Sequence, residues 1–193
     1  GLSVVLWVIC GFSLAFGADH GGVIGGLEYI CLNGLSFEEV STYAPSLSSL
    51  TFVVFQMMFA MITPALITGS VAGRMRYKAL FIFIALWSLV VYYPLAHMVW
   101  GSGGFLAELG SVDFAGGNVV HISSGVSGLV LAILLGRRRG VEHTSYRVHN
   151  IPFVFLGAAL LWFGWFGFNA GSALGANGLA AHAFLTTALA SGT

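Results

Sequence analysis

Six long apolar segments dominate this chain: roughly residues 2–17, 46–73, 79–100, 116–136, 151–172 and 178–193. A helix needs about 20 such residues to cross the hydrocarbon core of a bilayer. Length alone does not separate a short span from a buried helix, but charge placement does. All seven bases sit in two short connections: Arg74, Arg76 and Lys78 in one, Arg137, Arg138, Arg139 and Arg147 in the other. Six of the seven acids sit in the alternate connections: Asp19, Glu28, Glu38 and Glu39, then Glu108 and Asp113. Only Glu142 breaks the segregation. Basic loops mark the cytoplasmic side. Connections 74–78 and 137–150 are therefore expected inside, and 18–45 and 101–115 outside.

Composition agrees. Charged residues are 7% of the 193, against about 25% in an ordinary soluble domain. Mean hydropathy is +0.92. Seven acids and seven bases cannot cover a soluble surface, so an all-α integral membrane protein is expected: a polytopic helical bundle forming a single transmembrane domain over 1–193. With zero net charge there is no basic field for nucleic acid. Cys10 and Cys31 form neither a C-x-x-C pair nor a disulfide framework. Both ends fall within apolar segments, which reads as an internal piece of a larger protein.

Polar residues inside the spans narrow the function. In lipid, helices approach closely through small residues. Gly117, Ser124 and Gly128 fall on one expected face of the fourth span, and His121 falls with them, aimed at a neighbour or a cavity. An ionisable ring there is costly and marks a pathway more often than a packing site. Asp113 stands where the fourth span begins, suited to the positive end of the helix dipole. In the fifth span Gly157, Gly164, Gly167 and Gly171 form a stripe, with Trp165, Phe168 and Ser172 nearby. The second span carries Gln56, Thr63, Pro64 and Thr68, which belong on a protein-facing side, and Phe55 and Phe59 four residues apart. Trp100 closes the third span at its outer end.

Other patterns are weaker. "GADHGGVIGG" is glycine-rich but lacks the Lys-Ser/Thr ending of a phosphate loop and reads as an outer loop. "GVSG" at 125–128 resembles a serine nucleophile motif, yet no His sits at a clear partner position. His97, His121 and His182 share no i, i+4 face for a metal. No metal, cofactor or catalytic residue is expected, and the chain does not read as an enzyme.

The strings "FQMMFAMITPALITGSVAGRMRY", "PLAHMVWG", "DFAGGNVVHISSGVSGLV" and "GWFGFNAGSA" together resemble the ammonium transporter (Amt/Mep/Rh) family, on its Amt side, along the whole chain. The resemblance implies a fold of about eleven spans in two inverted halves, with about six of them present here. It implies a homotrimer with a pore in each subunit, and a possible PII-type regulatory partner. The implied activity is passage of ammonium or ammonia, with methylammonium as an analogue, across the cell (plasma or inner) membrane.

By the same resemblance, Trp100 and Ser172 match the outer ammonium recruitment site, bordered by Phe59. Phe59 and Phe168 match two stacked rings that close the pore. His121 matches the first of two pore histidines. Asp113 matches an acid that orders the recruitment site without binding directly. The second pore histidine would lie beyond this chain, and neither His97 nor His182 stands at its position. Gly73 stands where the family usually has an acid, which removes a partner for a salt bridge at the inner end of the second span. The alternative is an Amt-type domain that senses ammonium for a signalling protein.

Overall fold

The computed structural model describes residues 1–36, 38–143 and 148–193. Arg147, one of the seven bases, lies outside them. The chain divides into two compact units, Gly1–Gly136 and Arg137–Thr193.

Among the described residues, the first unit holds four long helices and a short one at Phe105–Glu108. α1 spans Leu2–Phe16, α2 spans Ser49–Val71 and α4 spans Gly117–Leu135. Between α2 and α4, α3 is built from Tyr77–Trp87, a π-helical turn at Ser88–Tyr92, and Tyr93–Trp100. The connection 18–48 carries two antiparallel ribbons, β1 (Asp19–His20) with β2 (Ile24–Gly25), and β3 (Val40–Ser41) with β4 (Ala44–Ser48). Residues 46–48 are extended rather than helical. Ser48 has β-region backbone and accepts from the Thr51 N–H, so the helix starts after it.

The polar residues of α2 turn inward, as lipid requires. Gln56, Thr63 and Pro64 are buried and Thr68 is partly exposed. Pro64 offers no N–H to the helix, and the Thr63 hydroxyl donates to the Phe59 carbonyl at 2.6 Å. Indole N–H groups tie helices together: Trp7 donates to the Val53 carbonyl at 3.1 Å, and Trp87 to the Ser127 hydroxyl at 2.8 Å. The outer half of the core is aromatic. Phe16 packs edge-on to Phe52 at 5.0 Å, and Tyr43 stacks on Phe52 at 5.4 Å. Burial holds the Tyr43 phenol above its ordinary pKa. It stays neutral, donating to the Phe16 carbonyl at 3.2 Å and accepting from the Ser102 N–H at 3.1 Å.

α2 and α4 pack along their length. Gly128 faces Ser70 there: a methyl on Gly128 would lie 3.4 Å from the Ser70 oxygen. Where α2 ends, Arg74 reaches the ends of two helices. Its guanidinium donates to the carbonyls of Ser70 and Gly136, the latter at 2.6 Å. These carbonyls end α2 and α4, where the helix dipole favours a cation.

π-helical turns interrupt three of these four helices, at Trp7–Gly11, Ser88–Tyr92 and Gly117–Ile122. The first packs against the residue just after the second: a methyl on Gly11 would fall 2.5 Å from the ring of Tyr93. The third changes the expected face of α4. Each π turn inserts a residue, so Ser124 and Gly128 are buried but Gly117 is exposed and His121 only partly buried.

The second unit holds α5 (Ile151–Gly171) and α6 (Gly178–Gly192), each capped by an asparagine side chain. Trp162 donates to Ser191 at 2.6 Å and Asn169 to Thr187 at 2.9 Å, and Phe166 stacks on Phe184 at 4.3 Å. The glycine stripe of α5 makes no close approach within this unit. A methyl on Gly157, Gly164 or Gly167 would meet nothing within 4 Å.

Among the described residues, four helical segments are long and apolar enough to cross a membrane: Ser49–Val71, Tyr77–Glu108, Gly117–Leu135 and Ile151–Gly171. The fold is a polytopic helical membrane fold.

Candidate functional site

Three elements of the first unit meet around Trp100. Phe59 sits mid-way along α2 and is 2% exposed. Trp100 is the last residue of α3, and Asp113 lies in the connection before α4. The Trp100 ring stands edge-on to Phe59, with centroids 5.5 Å apart and planes at 85°. Phe55 also packs edge-on to Phe59, with centroids 5.0 Å apart.

Asp113 organises this corner. Its Oδ1 accepts from the N–H groups of Gly116 and Gly117 at 2.6 and 2.7 Å. Its Oδ2 accepts from Asn118 and Val119 at 2.8 and 3.0 Å. Four otherwise unpaired donors at the start of α4 thus share one carboxylate. The Asp113 carbonyl meanwhile receives the indole N–H of Trp100 at 2.9 Å. With four donors taken up, the lone pairs of the carboxylate are engaged by backbone N–H groups.

Gly116 permits the turn. Its φ of +94° is left-handed, and a methyl there would lie 2.6 Å from Val120 and 3.6 Å from the Phe59 ring. His121 follows on the π turn, its N–H donating to the Gly116 carbonyl at 2.9 Å. It lies on the helix that Asp113 anchors, about one turn from its start at Gly117.

In the second unit Ser172 ends α5 and donates to the Phe168 carbonyl at 2.8 Å. The Phe168 ring packs on Trp165 at 5.7 Å. A groove of about 470 Å³ between α5 and α6 is lined by Trp165 and Asn169, among others, but not by Phe168 or Ser172. Phe59, Trp100, Asp113 and His121 therefore belong to one unit, and Phe168 and Ser172 to the other.

The profile of the Ammonium Transporter Family matches residues 1–193. The chain belongs to that family. It is 51% identical over 183 residues to an ammonium transporter of Bacillus subtilis, covering 95% of this chain and 44% of that protein. Ammonium transporter Amt1 of Archaeoglobus fulgidus is 48% identical over 186 residues, covering 96% and 45%. Among solved structures, Mep2 of Saccharomyces cerevisiae superposes with a TM-score of 0.88 at 38% identity, over 98% of this chain and 42% of that one. A protein described as a sensor Amt protein gives a TM-score of 0.84 at 33% identity, over 99% and 48%. The chain thus spans less than half the length of these relatives. The Bacillus subtilis and Archaeoglobus fulgidus relatives are named as ammonium transporters, not as enzymes.

Sequence reasoning did not single out two residues that the structure makes prominent. Arg74 clamps two helix ends, and His97 is fully buried with both ring nitrogens in contact with oxygens. For His97 a signal existed: an ionisable ring three residues before Trp100 within an apolar span.

Proposed function

We propose that this chain forms the outer vestibule and part of the pore of a membrane protein that passes ammonium or ammonia. The observation that carries the reading is the corner at Trp100, whose indole is locked by Asp113 while its ring borders Phe59. An aromatic cage of fixed orientation attracts a small cation by about 0.5–2 kcal/mol, more as water is stripped away.

Trp100, Phe59 and Ser172 recruit the ion. Ammonium donates a hydrogen bond to the Ser172 hydroxyl, which Na⁺ and K⁺ cannot do, and this discriminates among cations of similar size. Phe59 and Phe168 act as the gate. Passage beyond them removes the remaining water, which disfavours the charged form and makes deprotonation easy. His121 lines the apolar path as a hydrogen-bonding group able to hold or pass a proton. Asp113 orders the corner and does not ligate the ion.

The protein works as a homotrimer in the plasma or inner membrane, with 74–78 and 137–150 facing the cytoplasm and 18–45 and 101–115 facing outward. A PII-type protein is its proposed regulator at the basic face. Methylammonium uptake by the full-length protein tests the reading. Trp100→Ala is expected to weaken uptake at low substrate concentration, and His121→Ala to abolish or deregulate it. Unchanged uptake and selectivity in both variants overturns the proposal.

The similarity to a sensor Amt protein favours a second reading, in which the same residues bind ammonium to regulate a signalling domain. A full-length protein that binds methylammonium without accumulating it selects that reading.

A further inference from the structure

The chain turns just after Trp100, through Gly101, Ser102, Gly103 and Gly104. Three of these four residues are glycine, and Gly103 has a left-handed backbone with φ +82°. Such a segment has little stiffness of its own. Two backbone bonds fold it: the Gly101 N–H donates to the His97 carbonyl at 2.8 Å, and the Gly104 N–H to the Gly101 carbonyl at 3.1 Å. The Ser102 N–H goes elsewhere. It donates to the hydroxyl of Tyr43 at 3.1 Å, across 59 positions of sequence.

Tyr43 is itself firmly held. It stands between β3 and β4, and its own N–H donates to the Ser41 hydroxyl at 3.2 Å. Its ring lies flat on Phe52, with centroids 5.4 Å apart and planes at 5°, and edge-on to Phe16 at 5.1 Å. A phenol hydroxyl can donate one hydrogen bond and accept another. That of Tyr43 does both, donating to the Phe16 carbonyl at 3.2 Å while it accepts from Ser102. One oxygen atom thus connects the end of α1 to the turn that follows α3.

The same stripe of α2 supports both ends of this connection. Phe52 and Phe59 are seven residues apart, two helical turns, so they share a face, and each is 2% exposed. Tyr43 packs on the first and Trp100 on the second. Trp100 is therefore fixed twice. Asp113 holds its indole N–H, and Tyr43 holds the backbone two residues further on.

We propose that Tyr43 is a positioning residue for Trp100. Its hydroxyl pins the glycine-rich turn, and with it the direction in which the Trp100 ring meets Phe59. Tyr43→Phe keeps the ring packing and removes only the oxygen. The Ser102 N–H then turns to water, and the end of α3 loosens. Tyr43 acts on the ion only through Trp100. Its effect on uptake rests on the recruitment role proposed above for Trp100, whereas its effect on the mobility of that ring does not.

Hydrogen exchange at the indole N–H groups of the full-length protein, read by nitrogen NMR, tests the positioning directly, with Trp100→Phe assigning the signal. In Tyr43→Phe the Trp100 indole is expected to exchange about fivefold faster than in wild type, the value of one net hydrogen bond in an equilibrium constant. The Trp87 indole, bonded to Ser127, is expected to keep its rate, whereas a general loss of stability speeds both. Unchanged exchange at Trp100, or equal acceleration at both indoles, overturns the proposal. Methylammonium uptake tests the consequence. Tyr43→Phe is expected to raise the half-saturating concentration about two- to fivefold and to leave the maximal rate per folded protein unchanged. Added to Trp100→Ala, it is expected to raise that concentration no further, because the two residues act as one unit. Additive effects in the double variant overturn the positioning role. If Trp100→Ala proves silent in the same assay, the recruitment reading fails, and the exchange result still decides whether Tyr43 positions the ring.

Discussion

The carbonyl of Asp113 takes the indole N–H of Trp100, while the carboxylate of the same residue takes four N–H groups at the start of α4. One residue therefore fixes an aromatic ring at the end of one helix and the starting direction of the next. The orientation of Trp100 toward Phe59 and the placement of His121 on α4 share a single anchor.

Removing that anchor should be costly for both. Asp113→Ala leaves four N–H groups without their acceptor and removes a negative charge from the positive end of a helix. A loss of about 2 kcal/mol, the upper end for an N-terminal cap, is expected in stability of the full-length protein. Asp113→Asn keeps one acceptor oxygen and should recover part of it. Thermal unfolding in detergent reads the difference, and Ala and Asn variants with wild-type midpoints would show that the carboxylate is dispensable.

At the opposite end, Arg74 bonds the last carbonyls of α2 and α4 through two arms of one guanidinium. A lysine has one ammonium and cannot reproduce the fork. Arg74→Lys is therefore expected to destabilise nearly as much as Arg74→Ala, by about 1–3 kcal/mol. A lysine variant as stable as wild type would mean that charge alone suffices there.

Much of this architecture is legible in the sequence for one reason. A helix in lipid must satisfy its backbone internally, so apolar length and helix nearly coincide, and the motif strings around Trp100 and His121 identify the family. The π turns leave no such trace. The first lies against Tyr93, whose ring presses on Gly11 from a position distant in sequence. Because a π turn shifts the face that follows it, the pattern of Gly117, His121, Ser124 and Gly128 could not be read with ideal helical spacing. The pairing of His97 with Asp19 spans 78 positions and depends on a ribbon whose register no periodicity specifies. Arg74 was visible only as a topological charge, because its partners are backbone carbonyls, which carry no residue identity.

Gly116 gives a sharper test of the corner. Its backbone is left-handed, and an added methyl would meet Val120 at 2.6 Å. Gly116→Ala should cost about 1–2 kcal/mol from backbone conformation alone, with the clash in addition. Because Phe59 lies just beyond, the variant is also expected to change methylammonium selectivity, whereas Gly125→Ala, where a methyl meets nothing within 4 Å, should be silent. Equal behaviour of the two alanines would refute this account of the turn.

The outer ribbon should respond to acid in a predictable direction. The hydrogen bond from His97 holds the Asp19 carboxyl below its ordinary pKa; burial opposes this, and the Gly22 N–H and the charge of His97 reinforce it. A carboxylate with a depressed folded-state pKa contributes stability that is complete above its unfolded value, about 4, and disappears as pH falls through the folded value. Acidification below about pH 4 is therefore expected to release the β1–β2 ribbon before the β3–β4 ribbon, whose described hydrogen bonds involve no carboxylate side chain. Hydrogen exchange of the full-length protein, corrected for the intrinsic pH dependence of exchange, follows residues 19–25 against 40–48. Protection at 19–25 should fall in wild type and stay level in Asp19→Asn, which has no charge to lose. Loss of protection at the same pH in both proteins would rule out Asp19 as the titrating group.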